Sequence, residues 1–141
     1  ADIEAILQGL ADGTIDAIAT DHAPHAVHEK EVEFAMAANG ITGLETSFGL
    51  AMTYLVHTGH IGMMRLVEMM STMPREILRL PAVSCLEGAK ANVTIVAPHE
   101  EWKFAVAHSR SKSKNTPFEG FLLKGKPKFA INRGQLWNCD L

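Results

Sequence analysis

The sequence predicts an α/β domain followed by a small β-rich tail. Three observations carry this reading. An amphipathic helix passes through a tight turn into a short apolar strand within residues 2–20, further helical stretches follow up to Leu80, and beyond Pro81 the pattern breaks into short β-like runs between Gly, Pro and Asn turns. The expected division is therefore 1–80 for the α/β part and 81–141 for the β-rich element.

In chain order, Ile3, Ile6, Leu7 and Leu10 recur at helical spacing, with Asp2 placed to cap the start and Gly13 just past the end. Ile15–Thr20 is a short apolar run of the kind that forms a parallel strand buried on both faces. It stops at Asp21-His22-Ala23-Pro24-His25, and a long polar loop follows, bent at Gly40 and Gly43. Thr42-Gly43-Leu44-Glu45 fits a capping box, which predicts a helix from about Leu44 to His57 with Leu44, Phe48, Ala51, Met52, Leu55 and Val56 on one face. Two more helices are expected, one over Gly62–Met70 and a short one over Arg75–Leu80 introduced by Pro74. In the tail, Asn92–Ala97, Lys103–Ala107, Phe121–Leu123, Lys128–Ile131 and Gln135–Trp137 read as strands, and the basic, Ser-rich run Ser109–Lys114 reads as a solvated loop.

Composition narrows the function classes. The 141 residues are 47% hydrophobic and 21% charged, a mixture suited to a packed core. With 13 basic against 16 acidic residues the formal charge is −3, which shows no electrostatic footprint for nucleic acid or an anionic membrane. Cys85 and Cys139 lie far apart and form no Cys-x-x-Cys, arguing against a disulfide framework or a thiolate zinc site and for a reducing, cytoplasmic setting. No apolar run approaches the ~18–20 residues of a membrane span, and Ala1-Asp2-Ile3-Glu4 has no signal-peptide character and no initiator Met, so the chain is expected to begin inside a longer protein.

The densest set of reactive groups is Thr20-Asp21-His22-Ala23-Pro24-His25, with His28 close behind. The C-terminal end of a buried parallel strand is where α/β proteins assemble their sites. There a carboxylate can ligate a divalent metal, and an imidazole can ligate, donate to a substrate oxygen or exchange a proton. Asp and His are also common in surface loops, and spacing alone leaves both readings open. His57 and His60 fit the negative end of a helix, and His99 and His108 have no ligand spacing to one another. No phosphate loop, nucleophile elbow or activated cysteine pattern occurs, which disfavours covalent catalysis.

Ile15–His25, Glu29-Lys30-Glu31, Gly40–Thr46 and Ser113-Lys114-Asn115-Thr116-Pro117-Phe118-Glu119-Gly120, in that order, resemble the C-terminal portion of the dihydroorotases, members of the metal-dependent amidohydrolase superfamily. The resemblance implies the C-terminal part of a (β/α)8 barrel followed by one part of a small composite β-domain. It also implies zinc-dependent, reversible hydrolysis of the cyclic amide of dihydroorotate to carbamoyl-aspartate in pyrimidine synthesis. Matched to the family, Asp21 is the aspartate ending the last barrel strand, a metal contact that moves the proton of the attacking water to the leaving nitrogen. His25 matches a histidine that grips the substrate, and Asn39-Gly40 lies where loop backbone contacts it; His22 has no family role to transfer and is expected to support or pack.

The family's His-x-His pair, its bridging carboxylate or carboxylated lysine and two further histidines have no counterpart among the seven histidines here, and a complete barrel takes ~250 residues. The chain therefore reads as an incomplete portion, inactive and without tightly held zinc by itself, and prone to self-association through unpaired barrel edges. Asn92-Val93-Thr94 and Asn138-Cys139-Asp140-Leu141 depart from the family pattern in the tail. Two alternatives accompany the enzyme reading. One is a non-catalytic assembly module for aspartate transcarbamoylase, and the other is a different cyclic amidohydrolase, a hydantoinase or allantoinase, against which His25 counts.

Overall fold

The computed structural model describes residues 1–140; Leu141, the last residue of the unplaced Asn138–Leu141 pattern, lies outside them. Helix α1 (Asp2–Asp12) forms where expected and ends at Gly13, whose φ of +90° is the left-handed turn that stops a helix. Its start differs from expectation, since Asp2 is the first helical residue and makes no side-chain cap. The guanidinium of Arg65 caps the other end, donating to Leu10 O (3.2 Å) and to Ile15 O (2.9 Å) just past the turn. Only Leu7 and Leu10 of the apolar stripe turn inward, leaving Ile3 and Ile6 in solvent.

Residues 15–20 follow the helix but are not a strand. A strand exists through its ladder, and within this run only Ile15 and Ile18 donate to a backbone carbonyl, to Gly9 O (2.9 Å) and Met69 O (3.1 Å). The apolar pattern does mark burial, since Ile15 and Ile18 pack on the core, but the pairing partners that would make it a strand are not among the described residues.

After the site loop, with its single turn of helix α2 (Val27–Lys30), comes α3 (Ser47–Ala51), which widens into a π-helical turn over Met52–Val56. The expected start at Leu44 is three residues early, because Glu45 bonds elsewhere and closes no capping box with Thr42. The two helices expected over residues 62–80 are one continuous helix, α4 (Met63–Val67), a π turn (Glu68–Thr72) and α5 (Met73–Ile77). Pro74 accounts for the join. It offers no N–H to the carbonyl four residues back and its ring crowds that carbonyl, so the helix dilates just before it, with Met73 N–H reaching Glu68 O. Leu10, Ala51, Met52, Ile61, Leu66 and Met69 form the buried core between these helices.

The tail is an antiparallel three-stranded meander, β1 (Val93–Lys103), β2 (Leu122–Asn132) and β3 (Gln135–Asn138), in the order β1-β2-β3. Two expected runs, Phe121–Leu123 except for its first residue and Lys128–Ile131, belong to the single strand β2, whose Pro127 pairs with Val96 beside a register shift that spares the missing N–H. Lys103–Ala107 is not a strand; β1 ends at Lys103 and a 3-10 turn covers Val106–His108. The sheet packs on α3 through Gly49, against Trp102 and Leu123. At Gly125 (φ +85°) a Cβ would stand 2.6 Å from Met52 Cγ, so only glycine lets β2 turn this way and approach the π turn this closely. Among the described residues no helix is long and apolar enough to cross a membrane.

Candidate functional site

The segment that ends the 15–20 run turns at Asp21, whose φ of +42° is a left-handed value rare for a side-chain-bearing residue and most tolerated by Asp and Asn. Asp21 is exposed. Next to it, His22 holds backbone, its Nδ1 accepting the N–H of Gly43 (3.0 Å) and of Leu44 (3.3 Å). Nδ1 must be unprotonated to do so, which fixes the ring as the Nε2–H tautomer when neutral. The expected supporting role of His22 is thereby given content, for it ties the end of the 15–20 segment to the start of the Gly43–Ser47 turn.

His25 and Gly40, expected to share a site, are brought together. A Cβ on Gly40, which has φ +96°, would lie 3.9 Å from His25 Nε2 and 2.5 Å from Ala23 Cβ. The loop thus passes closer to the His25 segment than any other residue type permits. Ala23 N–H donates to Ile41 O (2.9 Å), and Lys30 Nζ bridges Ala38 O (2.7 Å) and Gly40 O (3.1 Å), so Asn39 stands exposed between two held carbonyls. Glu29 faces His25 Nδ1 at 3.7 Å and accepts the Ala26 N–H (2.7 Å). That backbone bond, helped by the nearby His25 and His28, holds its carboxyl below the usual range.

Two residues whose contacts here the local sequence pattern does not foretell, Asn115 and Glu45, complete the arrangement. Asn115 Oδ1 accepts the His25 N–H (3.2 Å), while its Nδ2 donates to Ala23 O (2.8 Å) and Gly40 O (3.3 Å). Its backbone carbonyl accepts the N–H of buried Thr42 (3.0 Å). The Ser-rich run before it is no free loop: the Glu45 carboxylate accepts Ser109 Oγ–H, Arg110 N–H (2.8 Å) and Ser111 N–H (3.0 Å). Burial would push this carboxyl up, but those three donors and the charge of Lys114 outweigh it and hold it below its ordinary value. The hints in sequence are the family-like runs Gly40–Thr46, which holds Glu45, and Asn115-Thr116-Pro117-Phe118, since a partner 90 residues away in the chain, as His25 is from Asn115, leaves no local pattern.

Metal binding is not built into this arrangement. Among the described residues no three His, Cys, Asp or Glu side chains come together in a group able to hold an ion. A divalent cation needs three or more protein ligands in fixed geometry, so this donor set does not fit one by itself. Beside the loop, an open apolar hollow of about 320 Å³ lies between residues 18–20, α3 and its π turn, and Phe118, with no charged side chain in its wall.

No family model matches the chain. Among curated proteins it is 50% identical over 133 residues to a dihydroorotase of Ruminiclostridium cellulolyticum, and 51% identical over 136 residues to one of Elusimicrobium minutum. The chain is a dihydroorotase homologue. These alignments take in 94% and 96% of the chain but 31% and 32% of the relatives, so the homologue spans about a third of their length. Its fold matches the L-hydantoinase (dihydropyrimidinase) of Arthrobacter aurescens with a TM-score of 0.84 at 30% identity, over 93% of this chain and 30% of that one. The dihydroorotase homologue thus keeps, in three dimensions, the arrangement that the corresponding stretch has in a cyclic amidohydrolase.

Proposed function

We propose that this chain forms the substrate-loop third of a dihydroorotase, which opens and closes the cyclic amide of dihydroorotate, and that it works only when the other two thirds are present. The observation that carries the reading is the meeting of His25 with Gly40 in a latched loop beside Asp21, in a chain half-identical to dihydroorotases. The helical part to Leu80 is then the last portion of a (β/α)8 barrel, with residues 15–20 as a strand whose neighbours belong to the rest of the protein. Residues 81–141 are one part of a composite β-domain.

Within that frame each residue has work suited to its place. Asp21, exposed at a strained turn, supplies a carboxylate that takes a proton from the attacking water and returns it to the ring nitrogen that leaves. It would also offer one ligand to the zinc that the resemblance implies, which would need further ligands that this chain does not bring together. His25 binds the substrate through a partly exposed imidazole beside Gly40, and backbone groups of Asn39 and Gly40 complete the contact.

The test is to supply the missing two thirds, in one chain or as a second polypeptide, and assay dihydroorotate hydrolysis alongside hydantoin hydrolysis. Turnover of dihydroorotate that Asp21→Ala lowers by at least about 10²–10⁴-fold is expected. Hydantoin turnover without dihydroorotate turnover would replace the reading with that of a hydantoinase.

A further inference from the structure

We propose that Asn115 is a positioning residue for this site: its carboxamide locks the His25 segment to the Gly40 loop and so sets where a cyclic amide substrate can sit. The proposal rests on the dihydroorotase reading for its substrate, and on geometry for the lock itself. Asn115 is half-buried and spends three of the four hydrogen bonds an Asn side chain can make on groups of just two segments, the His25 N–H with Ala23 O on one side and Gly40 O on the other. Those segments carry the imidazole and the backbone assigned to substrate binding. Asn115 reaches them from 90 residues further along the chain than His25, on the loop between the 3-10 turn and β2, which Glu45 clamps independently at Ser109–Ser111.

The chemistry of the side chain is specific. One face must accept from an amide and the other must donate to two carbonyls, a pattern that Asn supplies and Asp does not, because a carboxylate would set an oxygen against Ala23 O and Gly40 O. Ala removes both faces but leaves the backbone bond from Thr42 N–H to Asn115 O, so losing the lock is separable from losing the loop.

Two measurements test this. In the 141-residue chain, amide exchange followed by NMR in Asn115→Ala should speed His25 N–H by about ten-fold, the range of one lost hydrogen bond, while Thr42 N–H keeps its protection. Equal loss at Thr42, or no change at His25, overturns the proposal, because Asn115 would then be holding the whole loop or nothing. In the chain completed by the missing two thirds, Asn115→Asp should raise KM for dihydroorotate about ten-fold or more with kcat within about three-fold, as expected for lost positioning of binding groups. An unchanged KM in an enzyme that turns over dihydroorotate sinks the positioning role and leaves the dihydroorotase reading intact. A completed protein that does not turn it over ends that reading and with it the substrate half of the proposal, and the exchange result alone then decides the lock.

Discussion

At the scale of single residues, the site is held by side chains that serve backbone. Glu45 does so as an anion, which makes its contribution pH-dependent in a definite direction. Its carboxyl is depressed in the folded chain, so its stabilisation is fully present above the ordinary value of 4.5 and is lost as pH falls below that through the folded value. Glu45→Gln should therefore lower stability near pH 7 and abolish this acid-dependent component, read as urea midpoints across pH 3–7 for both proteins. His22 offers a second handle. Asn can present an oxygen close to where Nδ1 stands, so His22→Asn should keep slow exchange at Gly43 N–H and Leu44 N–H, whereas His22→Leu should lose it at both. Gly125→Ala should lower stability by roughly 1–3 kcal/mol in denaturant titration, since it adds a Cβ at positive φ against Met52.

Elements show what sequence can and cannot carry. Helix α1 with its Gly13 stop and the inward-facing Met52 and Leu66 are legible because a helix makes its own hydrogen bonds and announces its buried face by period, whereas the fully buried Met69 falls outside that period, in the π turn. The 15–20 run announces only the part-burial of Ile15 and Ile18, with Asp16 and Ala19 exposed, because strandness and burial on both faces belong to a pair of segments, and apolar pattern in one of them cannot report an absent partner. Amides of Asp16, Ala17, Ala19 and Thr20 should accordingly exchange at nearly unprotected rates in this chain and become protected when the remaining two thirds are added. Pro74 reads as a boundary in sequence and is a dilation in the fold, because a π turn can absorb the ring that an α turn cannot. In the site, Asp21 and His25 are legible as reactive groups just past the 15–20 run, and Gly40 through the resemblance, while the structure brings His25 and Gly40 together. Asn115 and Glu45 are not, since their functional neighbours are fixed only by tertiary contact.

The whole molecule is packed at its centre and leaves large apolar side chains in solvent around it. Sheet and helices close on each other around Gly49, Trp102 and Leu123, whereas Ile3, Ile6, Phe34 and Met36 remain at least half exposed, with Phe34 99% exposed. Together with the apolar hollow beside residues 18–20, this is more greasy surface than an independent domain this small usually shows. Size-exclusion chromatography with light scattering should find the chain self-associated, and mixing with the missing two thirds should replace that species by a single defined complex. The Asn115 latch also has a consequence in time. Ala23 leaves the ribosome long before its partner, which is 92 residues further on, an interval of roughly 5–20 s at ordinary elongation rates. For that interval a nascent chain carries Asp21 and His25 without the side chain that locks their surroundings, and any rare-codon pause between residues 25 and 115 lengthens the exposure of this segment to chaperones and proteases.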